Sequence, residues 1–92
     1  MDDHRPYTVV SRRADRPENR IFRFHFYSDE GEEPAHIHVD TGDGECKFWL
    51  DRVLLARSIN VAPAEVRKIE KLVFEHRTFL MEKFHEFHSR GV

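Results

Sequence analysis

The chain has 92 residues, eight of them phenylalanine, and a formal net charge of −2. That length holds one domain with one modest core, and the aromatic content makes it globular rather than disordered. The near-neutral balance sets up no strong field toward nucleic acid or an anionic membrane surface, no run is long enough to span a bilayer, and the single cysteine, Cys46, excludes an internal disulfide, which fits a reducing cytoplasm.

The first residues, Met1-Asp2-Asp3-His4, are polar and lead into no signal-peptide-like apolar stretch. Arg5, Arg12, Arg13, Arg16 and Arg20 crowd the first twenty residues. Residues 1–20 therefore read as a solvated basic arm, with Tyr7-Thr8-Val9-Val10 as a short edge strand and Ser11 to Asn19, containing Pro17, as a loop. Residues 21–92 read as a single domain. From Arg20 to Ser28, Phe22, Phe24 and Phe26 alternate with Arg23, His25 and Tyr27, the period of a strand with one apolar face. An acidic turn, Asp29-Glu30-Gly31-Glu32-Glu33, ends at Pro34. In His36-Ile37-His38-Val39-Asp40, strand alternation puts Ile37 and Val39 on the core side and both histidines with Asp40 on the other. Thr41-Gly42-Asp43-Gly44 is a tight hairpin signal. Glu45 to Leu50 returns, with Cys46, Phe48 and Leu50 on one side and Lys47 and Trp49 on the other. Asp51-Arg52 then turns into a fourth strand, Val53 to Ser58, with a short helix capped by Asp51 as the alternative.

The last third predicts one long helix. Pro63 suits its first position and Glu65 its first turn. Val66, Ile69, Val73, His76, Leu80, Phe84 and Phe87 make an apolar stripe at helical spacing, with His76 as a hydrogen-bonded core histidine, and Gly91 lies past the end. A helix of about 26 residues is roughly 39 Å long, against about 20 Å for a six-residue strand, so one end overhangs the sheet. Leu72 and Phe79 widen the stripe on one flank, while Phe74 and Met81 lie off it on the other and point to a second chain. His85 and His88, one turn apart, complement the helix C-terminus. The fold class is α+β: a three- or four-stranded antiparallel sheet packed on one face by a long C-terminal helix.

The face away from the helix then carries Arg23, His25, Tyr27, His36, His38, Asp40, Lys47 and Trp49, a mixture of aromatics, histidines and cations typical of binding surfaces. Three readings compete. The face is an interface for a protein partner or a second copy, needing no cofactor. Alternatively His36 and His38, two apart on one strand, chelate zinc or nickel with His25 or Asp40 completing the site. Or Tyr27, Trp49 and the cations hold single-stranded nucleic acid. Catalysis has the least support. The chain has no nucleophile elbow, phosphate loop or Cys-x-x-Cys pair, and Cys46 points into the core.

The segments Arg23-Phe24-His25-Phe26-Tyr27-Ser28, Glu33-Pro34-Ala35-His36-Ile37-His38-Val39 and Gly44-Glu45-Cys46-Lys47-Phe48-Trp49-Leu50, with the Leu55-Ala56 step and the register Val66 to Phe87, resemble a family of small bacterial proteins named domain of unknown function 4160. The resemblance covers roughly residues 21 to 88. That family usually has proline at the positions of Ala35 and Arg52, glycine near Asn60 and tryptophan where Phe84 stands; Asn60 still suits a left-handed turn. The resemblance implies a protein encoded beside a second small protein, as in toxin–antitoxin-like or regulatory pairs. The implied partner is thus that neighbour or a second copy in a homodimer, and no activity passes to any residue.

Overall fold

A computed structural model describes residues 6–13 and 21–89. Five strands, β1 (Pro6–Arg13), β2 (Ile21–Tyr27), β3 (His36–Asp40), β4 (Glu45–Trp49) and β5 (Leu54–Ile59), are followed by helices α1 (Pro63–Glu75) and α2 (Arg77–Ser89). The strands form one antiparallel sheet in chain order, each paired with its sequence neighbours. The fold is α+β.

The sheet has five strands where three or four are expected. The added strand is β1, which pairs along the whole of β2, from Pro6 opposite Tyr27 to Arg13 opposite Ile21, with an irregularity between Thr8 and Val10. Tyr7 to Val10 is the expected short edge strand, and it runs on through Arg13 because an edge strand needs no full apolar face, so the polar residues 11–13 give no sign of the extension. The expected loop therefore begins later than Ser11. Its remaining stretch, the arm residues Arg5, Arg16 and Arg20, and Gly91 lie outside the described residues. The segment after Asp51 is the strand β5 rather than a short helix, entered through a turn in which Val53 has a φ of 45°. Asn60 adopts the left-handed region, φ 58°, as its short polar side chain allows.

The alternating register places Phe22, Phe24, Phe26, Ile37, Val39, Cys46, Phe48 and Leu50 in the core under the helices, joined by Val53, Ile69, Val73, Leu80 and Phe84. Pro63 opens α1, with Glu65 in its first turn. The single long helix is corrected to two. His76 leaves helical geometry (φ −113°, ψ 21°) while its N–H donates to the carbonyls of Leu72 and Phe74. His76 is exposed at this break and is not a core histidine. The break shortens the overhang: α1 lies over β4, and α2 packs against β3. Phe84 meets Phe26 edge-on, with ring centroids 5.5 Å apart. Of the flank residues, Met81 packs on the core, whereas Phe74 stays 58% exposed. No helix among the described residues is long and apolar enough to cross a membrane.

Candidate metal centre

Cross-strand pairing assembles the polar face as the alternation requires. Arg23 stands opposite Asp40, His25 opposite His38, His38 opposite Lys47, and His36 opposite Trp49. The face is not open at its histidines, however: His25, His36 and His38 are 6%, 1% and 1% exposed. The expectation of an open binding surface is corrected there, and the cause is the acidic turn. Residues 28–34 bend back over the sheet through backbone bonds from Glu30 N–H to the Tyr27 carbonyl and from Glu33 N–H to the Glu30 carbonyl, both 3.2 Å. The β2–β3 ladder ends at His25 and His38, so the turn closes over the point where the strands part.

There Glu30 Oε1 lies 2.8 Å from both His36 Nε2 and His38 Nε2. The ligand atoms of these three residues all fall within 4.8 Å of one another. His36 Nδ1 donates to the Pro34 carbonyl at 2.8 Å. His38 Nδ1 faces Glu45 Oε2 at 3.0 Å, at an angle that makes no hydrogen bond. Each imidazole thus turns Nδ1 outward to an oxygen of the protein and Nε2 inward to Glu30.

Counting hydrogens shows what this requires. Four ring nitrogens face four oxygen contacts, and two neutral imidazoles carry only two N–H groups. His36 spends its proton on Pro34, because a carbonyl can only accept. Its Nε2 lone pair then confronts the Glu30 carboxylate. A positive charge must stand between them, either further protons or a metal ion. Burial pushes the His38 imidazole below the ordinary histidine value, against the pull of Glu30 and Glu45, which disfavours the proton. Burial also raises the Glu30 carboxyl, but the bonds from His36 and His38 outweigh it and leave this group below the ordinary carboxylate value. With the proton of each imidazole on Nδ1, the Glu30 carboxylate and the two Nε2 lone pairs would form the donor set that a zinc or nickel ion takes.

The other predicted residues lie around this centre. Asp40 accepts from the Gly42 N–H at 2.9 Å, and His25 donates Nδ1 to the Arg23 carbonyl at 3.3 Å. Neither joins the pair, so the expected His25 or Asp40 ligand is replaced by Glu30. Arg23, His25, Tyr27 and Asp40 line, with Glu45, a neighbouring cleft of about 280 Å³. The Tyr27 hydroxyl is raised by burial and by Glu45 and Glu30, and its ring stands edge-on to His38, centroids 4.7 Å apart. Lys47 bonds Glu33 Oε1 at 2.8 Å and lies 4.7 Å from the centroid of the Trp49 ring. Cys46 is buried in the core and its thiol is pushed up by burial, as an inert thiol should be. Sequence reasoning missed Glu30 and Glu45. Glu45 directly follows the hairpin and is opposite Asp40, a position readable from the strand register. Glu30 sits in a run of acids with no periodicity to single it out.

The sequence profile described as Domain of unknown function (DUF4160) matches residues 22–85, more than half of the chain. The chain belongs to that family. The matched span of this DUF4160 chain contains Glu30, His36, His38 and Glu45, and Pro34, whose carbonyl accepts from His36. No curated protein and no solved structure matches the chain.

Proposed function

We propose that the chain is a metal-binding module that takes one divalent transition ion, zinc or nickel, on Glu30 Oε1, His36 Nε2 and His38 Nε2. The observation that carries this reading is the shared Glu30 oxygen, 2.8 Å from two inward ring nitrogens, while the Nδ1 of one of these rings already donates to the Pro34 carbonyl. With an ion in place both Nδ1–H groups point outward, to the Pro34 carbonyl and the Glu45 carboxylate, the outer partners that orient ligating histidines. The ion joins the turn 28–34 to β3, and this gives the module its role: metal closes the turn over the sheet. Protein purified without an affinity tag and without chelator should carry about one equivalent of metal per chain. Glu30→Gln and the double change His36→Ala plus His38→Ala should abolish that content. Metal-free protein that takes up neither zinc nor nickel in a direct titration would sink the reading.

A second reading, a partner-binding role, moves from the histidine face to the edge of the sheet. Every residue of β5 is exposed, and Leu54, Leu55 and Ile59 are 54%, 45% and 53% exposed. An apolar edge strand with unused backbone groups is a template for pairing with another strand. Light scattering at micromolar concentration tests this: a monomer that Leu55→Lys leaves unchanged counts against a homodimer through β5.

A further inference from the structure

We propose that the open border between β5 and α1 docks an extended acidic peptide segment of a partner protein, which lies along β5 and seats a large apolar side chain beside Phe74; this names the chemistry of the partner in the strand-edge reading above and rests on that reading. β5 ends the sheet and, among the described residues, pairs only with β4, so the backbone groups on its outer side are unused. The core does not close there. α1 lies over β4, and Leu55, opposite the core residue Phe48, carries the helix-side face on to the edge while staying 45% exposed. Between the start of β5 and α1 runs a groove of about 390 Å³, lined on its apolar side by buried Val53 and exposed Phe74.

The charges around the groove select its occupant. Arg67, Glu70, Lys71 and Phe74 line it from α1, spaced as one helical face, and Arg52 lines it from the turn before β5. Three cations stand here against one carboxylate, although the whole chain carries a formal charge of −2. Arg77 adds a further cation, its guanidinium 5.1 Å from the centroid of the Phe74 ring. Among the described residues the lysines in ion pairs are Lys47 and Lys83, so Arg52, Arg67, Lys71 and Arg77 keep their charge for a partner. A second copy suits the border poorly. A two-fold contact through β5 sets this group of cations against its own image, and like charges brought together oppose association. A segment bearing carboxylates is attracted instead. The unused backbone edge calls for a peptide strand, which a nucleic acid does not offer.

The probe is a displayed library of random peptides, panned on the parent and counter-selected on Leu55→Lys, with circular dichroism showing each variant to be folded. The peptides retained should be rich in aspartate and glutamate around one aromatic or leucine side chain. The double change Arg67→Glu plus Lys71→Glu, on the exposed face of α1, should weaken them about tenfold, and added salt should weaken them on the parent. Hydrogen exchange of the β5 amides should slow in the complex. Retained peptides that are neutral or basic, or acidic ones that the charge reversal leaves unchanged, overturn the acidic partner and leave the strand-edge reading standing. A short single-stranded DNA that displaces the peptides and binds more tightly than they do overturns the peptide in favour of nucleic acid. A library that yields nothing able to tell the parent from Leu55→Lys overturns both the acidic partner and the strand-edge reading.

Discussion

Both faces of the sheet are buried at their centre, but they are buried by different means. Under the helices the face is hydrocarbon, filled by Phe26, Ile37, Phe48 and Leu50, each at 0% exposure. Such packing is stabilising at any pH and needs no partner. The opposite face buries His25, His36 and His38 beneath an acidic turn, so it removes polar groups from water and must compensate them. His25 Nε2, His38 Nδ1 and Glu45 Oε2 remain without a hydrogen-bond partner. The contrast teaches that the two faces are held differently: one is closed by hydrocarbon packing, and the other gathers buried histidines and carboxylates, some of which find no hydrogen-bond partner.

The largest effect should come from the apolar face. Phe48→Ala should cost about 3–5 kcal/mol in denaturant unfolding, equally in zinc and in EDTA; a loss under about 1 kcal/mol would erase the distinction between the faces. On the polar face the effect should depend on metal. Zinc at about 100 to 1,000 times its dissociation constant should stabilise the parent by about 2.7–4.1 kcal/mol by mass action, and the double change His36→Ala plus His38→Ala should remove that increment. A zinc-induced rise in melting temperature that survives the double change would place the ion elsewhere.

Acid should act on the polar face and by less. The folded state holds His38 below its ordinary value of 6.5, so on acidification the unfolded chain takes up the proton first and stability falls as pH drops below about that value. Glu30, held below 4.5, adds a further loss in the same direction at lower pH. One such group gives at most about 1.4 kcal/mol per pH unit. Metal-free urea midpoints that stay level from about pH 7.5 to about pH 5 would contradict the burial of a neutral His38. The smallest effect belongs to the exposed flank: Phe74→Ala should change stability by about 0.5 kcal/mol or less, measured in the same way.

The apolar face was legible in the sequence because its rule is local. Phe22, Phe24 and Phe26 announce a strand by alternation, and Asn60 and Pro63 mark the turn and helix start through their own backbone preferences. The polar face was legible as a set of residues on one side, since His36, His38 and Asp40 share a parity. The convergence of His36 and His38 on Glu30 was not. Glu30 reaches the histidines through the path of a turn, and turns of this composition carry no period. The burial of His25 and His36 likewise depends on what folds over them. The helix break was also hidden, because no proline or glycine stands at His76 and the hydrophobic spacing from Val73 to Leu80 continues across it.

The order of the strands has a kinetic consequence. Each strand of the sheet pairs with the one before and after it in the chain, and the helices come last. No strand has to wait for a distant segment, so loop-closure entropy is met in short steps, and chains with such local pairing fold fast for their content of sheet. The turn that carries Glu30 closes between β2 and β3, inside this sequence of hairpins. His36 and His38 can therefore meet Glu30 before α2 arrives to cover the far side of the sheet.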